Sequence, residues 1–309
     1  MPTGKKKIGV LLLAFGGANS IEDVEPFITN VLKGRVLTEE LLIKAKERYN
    51  LIGGSSPLLA ITKDEASALE KVLNTEGSVG FKSYVGMRFW PPYIKDTIKE
   101  IASDGIEEVI GIIMAPHSSR ASTGGYLSAV QEGLEVSGDA LKVRYLPDWH
   151  THPLLIEAIT DNIKEAQKNF DPKDKVLTIF SAHSLPVPAV KGDAYLPKID
   201  ETIKAVTEKM ELDSCLAFQS KGGGPVPWLG PDAEDVIKGA RGEGYSGVLV
   251  VPLGFVSDHV ETLYDLDILF KETAEEAGLG YARSASLNTN EKFIAMLAEM
   301  VTLTLKDRD

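Results

Sequence analysis

Short apolar runs bounded by turn residues constrain this chain more than any other feature of its sequence. Most of the runs are continuous rather than alternating, which is typical of strands buried on both faces of a parallel sheet. Amphipathic stretches such as Ile94–Ala102 separate them, so the pattern predicts right-handed βαβ units. The predicted strands are Ile8–Phe15, Phe81–Gly86, Val109–Met114, Leu141–Leu146, Val176–Phe180, Leu216–Gln219, Gly247–Pro252 and Gly280–Ser284.

Length and a weak internal similarity indicate two domains. At ~150 residues per domain, 309 residues correspond to about two. Polar segments follow the apolar runs in both halves, which favours two sheets over one wide sheet. We therefore predict an α/β chain of two similar Rossmann-like domains, residues 1–147 and 148–289, each with a mainly parallel four-stranded sheet flanked by helices. A last helix within 290–309 is expected to pack back on the first domain.

Composition excludes several classes of function. The net charge of −12 argues against non-specific nucleic-acid binding, which needs a basic face. Cys215 is the only cysteine, so we expect no internal disulfide and no iron–sulfur cluster held by several cysteines. The sequence has no G-x-G-x-x-G, P-loop or G-x-S-x-G motif, which argues against a nucleotide cofactor and a serine hydrolase.

Hydropathy points to a cytoplasmic location. No apolar stretch approaches the ~20 residues that span a bilayer, and no signal peptide is evident. We expect at most peripheral contact with a membrane.

A histidine follows one of the predicted strands. Ligands of open α/β sheets bind beyond the carboxyl ends of the strands, and His183 comes shortly after the strand 176–180. Imidazole exchanges protons near neutral pH and also binds metals, so His183 is a candidate catalytic residue. The alternative is a core histidine that is bonded to Ser181 or Ser184.

Acidic residues follow a second strand, at helical spacing. Asp258, Glu261 or Thr262, and Asp265 fall on one face of a predicted helix. Such a row would bind a divalent cation or relay protons. The alternative is an acidic first turn, in which Asp258 caps the helix and complements its dipole. That alternative explains Asp265, two turns further on, less well.

Aromatic residues cluster near the predicted strand ends and would line a flat apolar pocket, although each alone is more often a core residue. The residues by themselves predict a cleft with a histidine, carboxylates and aromatic walls. They leave the ligand open, and a divalent metal with a large apolar ligand is one option. The aromatic residues are Phe15, Phe89, Trp90, Tyr126, Trp228 and Phe255.

Six segments together resemble the ferrochelatase family, in the order in which the family has them and over nearly the whole chain. They are Y-N-L-I-G-G-S-S-P-L (49–58), M-R-F-W-P-P (87–92), A-P-H-S-S (115–119), S-A-H-S-L-P (181–186), Q-S-K-G-G-G-P-V-P-W-L-G-P-D (219–232) and G-F-V-S-D-H-V-E-T-L-Y-D-L-D (254–267).

The resemblance implies insertion of Fe(II) into a free-base porphyrin in haem biosynthesis, with release of two protons. It implies that His183 and Glu261 are catalytic, and that they handle the metal together with Asp265. Fe(II) is then a substrate, and no permanently bound cofactor is expected. The macrocycle is expected in a cleft between the two domains, and transient contacts with other haem-pathway enzymes are expected partners.

Six residues are expected to bind the porphyrin. Arg48, Ser56 and Tyr126 match family positions that contact the macrocycle or its propionates, and a guanidinium suits a carboxylate by bidentate pairing. The other three are Phe15, Arg88 and Trp228.

The chain departs from the family pattern in three places. Phe15 stands where some members have a tyrosine near the metal, and Pro91 replaces a histidine of the W-H-P segment. The apolar lip of membrane-associated members is short here, at residues 31–37. The short lip resembles that of the soluble bacterial branch, so coproporphyrin III is favoured over protoporphyrin IX. Side chains that would pair with its four carboxylates are Lys33, Arg35, Arg48, Arg88 and Arg120.

Two other functions stay open. One is a cobalt or iron chelatase that acts on a sirohydrochlorin-type tetrapyrrole, which the long matches at 219–232 and 254–267 disfavour. The other is a porphyrin or haem carrier without catalysis. A carrier has no need of both His183 and Glu261, so their presence favours the enzyme.

Overall fold

The computed structural model divides the chain into two compact units. Among the described residues, the first unit comprises 7–75, 79–115, 123–137, 141–149 and 288–306. The second comprises 116–120, 150–223 and 225–287. The outer ends of the predicted domains, residues 1–6 and 307–309, lie outside the described residues, as does Gly224 of the 219–232 segment.

The first unit is built on a four-stranded sheet in which every pairing is parallel. Its strands are β1 (Lys7–Ala14), β2 (Gly80–Met87), β3 (Glu108–Ile113) and β4 (Lys142–Tyr145), in the order β2-β1-β3-β4. Its helices are α1 (Val24–Leu32), α2 (Glu39–Leu51), α3 (Leu58–Leu73), α4 (Ile94–Ser103), α5 (Gly124–Ser137) and, at the end of the chain, α11 (Glu291–Lys306).

The second unit repeats this architecture, again with every strand pairing parallel. Its strands are β5 (Val176–His183), β6 (Ser214–Gln219), β7 (Gly247–Pro252) and β8 (Gly280–Arg283), in the order β6-β5-β7-β8. Its helices are α6 (Pro153–Gln167), α7 (Val187–Val190), α8 (Tyr195–Thr207), α9 (Ala233–Ala240) and α10 (Phe270–Glu276), with a 3₁₀ turn at Arg241–Glu243 and a π-helix at Thr262–Leu269.

The predicted fold class is confirmed: the structure has two four-stranded parallel sheets flanked by helices. The central strands explain why the apolar runs are continuous, since every residue of β7 is buried. The edge strands β4 and β8 are short and mostly half-exposed. All eight predicted strands are present, and β5 extends past its predicted end to His183.

Alternation along β5 shows how helices cover both faces of the second sheet. Phe180 packs into a cluster with Ile156 and Ile199, which lie on α6 and α8. Its neighbour Ile179 points to the opposite face and packs with Ile237 and Phe270. Both strand residues are fully buried, so β5 is anchored on two sides and its carboxyl end is held in place.

Two segments belong to a different unit from the residues that precede them in the sequence. Residues 116–120 follow β3 of the first unit but belong to the second, where His117 Nε2 lies 2.9 Å from Thr202 Oγ1. The last helix, α11, belongs to the first unit and packs against α3. Its Phe293 ring lies 5.9 Å from the Trp149 ring.

None of the described helices combines the length and the apolar content that a membrane crossing requires.

The position of β5 leads to a prediction about stability. Phe180→Ala removes a fully buried aromatic side chain and leaves a cavity, so the free energy of unfolding should fall by about 3–5 kcal/mol. Val187→Ala, at a side chain that is 40% exposed, should change it by less than about 0.5 kcal/mol. Urea denaturation measures both, and equal effects would contradict the packing described here.

Candidate active site

The end of β5 fixes the orientation of His183. The Tyr195 hydroxyl donates a hydrogen bond of 2.9 Å to the main-chain carbonyl of His183. The Nδ1 atom of His183 lies 2.5 Å from the carbonyl oxygen of Ser184, which only accepts, so Nδ1 carries a proton. The other ring nitrogen, Nε2, is the one that faces Glu261.

One carboxylate faces two imidazoles. Glu261 Oε2 lies 3.6 Å from His183 Nε2 and 3.6 Å from His259 Nε2. In His259, too, Nδ1 faces a main-chain carbonyl, that of Ser257 at 3.2 Å. The ring of Phe255 packs against both histidines, with centroids 6.1 Å from His183 and 4.3 Å from His259. The two imidazoles are thus held by their Nδ1 atoms and present Nε2 to the same oxygen.

The electrostatics of the pair favour a proton on His183. Burial is the largest single influence and disfavours the charged imidazole, but the charge and hydrogen bond of Glu261, the Ser184 carbonyl and the charge of Asp265 together outweigh it, and the pKa of His183 is raised. Burial also disfavours the carboxylate, yet His183 and His259 together hold the pKa of Glu261 well below its usual range. Opposite charges in contact stabilise each other in this way. His183 is therefore a stronger base than an isolated histidine.

Asp265 is buried within a separate polar network. Its Oδ2 accepts hydrogen bonds from the Ser220 hydroxyl and from Gln219 Nε2, the latter at 3.3 Å. The Gln219 Oε1 atom accepts in turn from the Ser181 hydroxyl at 2.7 Å. Asp265 is only 3% exposed, so these donors compensate for its lost hydration. The network ties the π-helix to the ends of β5 and β6.

The acidic residues divide among different partners instead of forming one row. Asp258 Oδ1 accepts hydrogen bonds from Arg283 at 2.9 Å and from Ser286 at 2.7 Å. Glu261 turns to the histidines and Asp265 to Gln219. The predicted spacing gave no sign of these partners, which lie elsewhere in the unit. Residues Thr262–Leu269 form a π-helix rather than an α-helix.

Two of the recognised segments fold against each other. An antiparallel bridge joins Pro186 to Trp228, and the Ser184 hydroxyl donates to the carbonyl of Leu229 at 2.8 Å. The Trp228 indole lies against Gly222, where an added Cβ would come within 2.2 Å of the ring. The indole Nε1 is buried and has no hydrogen-bond partner among the described residues. This contact explains the glycine and fixes the loop beside His183.

In the first unit, three of the predicted porphyrin-binding residues lie around Phe89. Phe15 is 40% exposed and its ring centroid lies 4.7 Å from that of Phe89. The Arg88 guanidinium lies 4.6 Å from the Phe89 ring and 5.4 Å from the Tyr126 ring. The guanidinium occupies the space that a side chain at residue 125 would fill, so the absence of a side chain at Gly125 makes room for it.

Ser56 and Arg48 lie elsewhere in the first unit. Ser56 is buried, and its main-chain N–H donates to the carbonyl of Ala18 at 2.9 Å. The Ser56 side chain packs so closely on Gly17 that a Cβ there would approach it to 2.6 Å. Arg48 is exposed near the end of α2.

Sequence reasoning assigned no role to His259 or Gln219, whereas Phe255 was expected among the aromatic pocket residues. His259 is separated from Glu261 by one residue, and this spacing was the available signal. Gln219 carried no such signal, because its importance lies in a contact with Asp265, 46 residues away. Among the described residues, no three His, Cys, Asp or Glu side chains form a group that would hold a metal ion.

Comparison with solved structures places the fold among the chelatases. SirB from Bacillus subtilis with Fe3+ superposes with a TM-score of 0.57 and 11% identity over 96% of this chain and 95% of that chain. CbiX, the terminal enzyme of sirohaem biosynthesis in denitrifying bacteria, gives a TM-score of 0.55 and 12% identity over 96% and 98%. These identities show the shared fold alone.

Sequence comparison identifies the family. Residues 7–305 match the ferrochelatase family, and the chain belongs to it. A coproporphyrin III ferrochelatase of Oceanobacillus iheyensis is 39% identical over 303 residues, covering 96% of both chains. A ferrochelatase of Herpetosiphon aurantiacus is 39% identical over 300 residues, covering 96% of this chain and 98% of that protein. The resemblance found in the six sequence segments is confirmed, and the chain is a metal-inserting enzyme.

The histidine–glutamate pair allows a test by titration. Glu261→Gln removes the charge that favours the imidazolium, so the pKa of His183 should fall relative to that of the wild type. NMR titration of the imidazole C–H signals measures it. Glu201→Gln is the matched control, because Glu201 Oε2 lies 2.6 Å from a different histidine, His150. A His183 pKa that is the same in wild type and Glu261→Gln would contradict the electrostatic role of Glu261.

Proposed function

We propose that this chain inserts Fe(II) into coproporphyrin III in haem biosynthesis, with release of the two pyrrole protons. The observation that carries the proposal is the pair formed by His183 Nε2 and Glu261 Oε2, 3.6 Å apart, in a chain of the ferrochelatase family. Pyrrole N–H groups are weak acids, so metal insertion needs a base beside them. The pair supplies that base.

In this proposal His183 accepts the two pyrrole protons one after the other at Nε2 and passes each on to solvent, to which its side chain is 31% exposed. Its Nδ1 atom already donates to Ser184, so Nε2 is the free acceptor when the ring is neutral. The carboxylate of Glu261 stabilises the imidazolium that results, which is the orienting role of an acid beside a catalytic histidine. Glu261 thus contributes to proton removal without leaving its charged state.

In this proposal, His183 and Glu261 also bind the incoming iron. Fe(II) arrives as a hydrated cation, and exchange of its water is assisted by imidazole nitrogen and carboxylate oxygen. His183 and Glu261 offer one ligand of each kind. Asp265 is buried and lies four residues after Glu261 in the sequence. We assign it to the passage of the metal or of the released protons.

Residues of the first unit are assigned to the porphyrin. Phe15 offers an exposed aromatic face for a flat macrocycle. Arg88 and Arg48 are assigned to the propionates, because a guanidinium binds a carboxylate with two parallel hydrogen bonds. Ser56 and Tyr126 of the first unit are assigned to the porphyrin as well, and so is Trp228 of the second unit.

Coproporphyrin III is the proposed substrate for two reasons. Relatives with this name cover almost the whole chain, including one from a Geobacillus species at 38% identity over 309 residues. The segment 31–37 that follows α1 is short and carries Lys33 and Arg35, which suit a substrate with four carboxylates better than an apolar lip does.

The remaining parts of the proposal concern the setting of the reaction. We propose a cytoplasmic enzyme without a resident cofactor, in line with its single cysteine. The proposal also includes transient contacts with other haem-pathway enzymes and peripheral contact with a membrane.

A porphyrin assay tests the reaction. Anaerobic Fe(II) insertion is followed by the Soret band, with coproporphyrin III and protoporphyrin IX measured side by side. We expect multiple turnovers with coproporphyrin III and slower reaction with protoporphyrin IX. Preference for protoporphyrin IX would reject the substrate proposed here but keep the ferrochelatase. A binding shift without metallation of either porphyrin would reject the activity and favour a carrier or a sirohydrochlorin chelatase.

A substitution tests the role of His183. His183→Ala removes the proposed base, so insertion should fall by at least about 100-fold, the lower range of what a positioned acid–base group contributes. Binding of free-base porphyrin, measured by fluorescence quenching, should persist. His152→Asn is the control, since His152 caps α6 and asparagine is also a good cap. A wild-type rate in His183→Ala would refute the assignment.

A further inference from the structure

The π-helix is an element that needs support from outside itself. Hydrogen bonds of the i→i+5 type are rare in proteins and mostly form single turns, often at functional sites. Here the π-helix runs for 8 residues, Thr262–Leu269. It begins directly after Glu261 and contains Asp265, so its winding sets where both carboxylates point. The side chains that hold this winding therefore bear on the reaction.

The edge strand β8 supplies two of these side chains. Tyr281 and Arg283 are two residues apart and so lie on the same face of the strand. The Tyr281 hydroxyl donates to the main-chain carbonyl of Leu266, in the middle of the π-helix. This bond gives an internal carbonyl of the helix a donor from another element.

Arg283 contacts the helix region at two points. Its NH1 donates to Asp258 Oδ1 at 2.9 Å, just before the helix. Its Nε and NH2 lie 2.7 Å from Asp267 Oδ1 and 3.3 Å from Asp267 Oδ2, inside the helix. One planar guanidinium thus joins residues nine positions apart. The side chains of Arg283 and Asp258 are each only 15% exposed, so this ion pair is shielded from water.

The positive charge of Arg283 is needed beside Asp258 and Asp267. Its guanidinium contacts the carboxylates of both Asp258 and Asp267. Without the guanidinium, the two carboxylates would lose the positive charge that they share. The separation of Asp258 and Asp267, and with it the start of the helix, would then change.

We infer that Tyr281 and Arg283 are positioning residues, which hold the π-helix in the winding that directs Glu261 at His183. Glu261 lies between Asp258 and Asp267 in the sequence, so a helix fixed at both of these residues fixes Glu261 as well. Neither Tyr281 nor Arg283 is assigned any contact with iron or porphyrin. The catalytic consequence rests on the proposed function, whereas support of the helix does not.

Hydrogen exchange tests the support of the helix without any substrate. In Arg283→Gln and Tyr281→Phe, the peptide that covers 262–269 should exchange faster than in wild type, while the peptide that covers α9 should not change. Arg241→Gln, at an exposed arginine of the same unit, and Tyr145→Phe, on the edge strand of the other sheet, are the matched controls. Unchanged exchange of 262–269 in both variants would overturn the inference.

Steady-state kinetics test the positioning of Glu261. In Arg283→Gln, kcat should fall by about 10- to 100-fold with little change in the KM for porphyrin, as is found when a residue that orients a catalytic group is removed. Arg283→Lys should lose less, because lysine keeps the charge but not the planar fork that reaches both carboxylates. It also serves as the test variant if Arg283→Gln does not fold.

The outcomes separate this inference from the proposed function. A kcat per folded enzyme equal to that of wild type in both arginine variants would overturn the positioning role, even if the melting temperature falls. If wild type metallates no porphyrin, the proposed function fails, and the exchange of 262–269 still decides whether Tyr281 and Arg283 hold the helix.

Discussion

The carboxylate of Glu261 is the constraint on which the site depends. A partly buried carboxylate keeps its charge only when donors or positive charges face it. Two imidazoles do so here, each at 3.6 Å, and each is oriented by a bond from Nδ1 to a main-chain carbonyl. This arrangement requires β5 to end at His183 and the loop after β7 to bring His259 back toward it. In the proposed function, proton transfer and ligand exchange at iron both depend on this one electrostatic arrangement.

The fold is the part of the structure that the sequence predicts best. Continuous apolar runs such as Gly247–Pro252 become strands because both faces of a central parallel strand are covered by helices. All eight strands follow from this pattern, with ends that differ by a few residues. The largest difference is at β5, where Ser181, Ala182 and His183 continue the strand. These residues look like a polar turn in the sequence, yet Ser181 is fully buried because Gln219 accepts its hydroxyl.

The site is predicted less completely, and for a physical reason. His183 and Glu261 were found from their place after strands and from family motifs, and the structure brings them together. The partners of Asp258 and Asp265 were not found, because Arg283 and Gln219 are 25 and 46 residues away and no local pattern links them. The π-helix was missed because its i→i+5 bonding depends on tertiary partners. The helical spacing predicted one row of acidic residues, whereas in the structure each of these residues has different partners.

Because of the segment 116–120, no single cut in the chain separates the two units. The chain passes from one unit to the other four times, because 116–120 belong to the second unit within a stretch of the first, and 288–306 return to the first unit. Residues 150–287 expressed alone would lack His117, whose ring bonds to Thr202, and Arg120, whose main-chain N–H bonds to Asp193. A single cut therefore yields no pair of complete halves. Although its two sheets have the same strand order, the chain cannot be divided by one cut into two complete units.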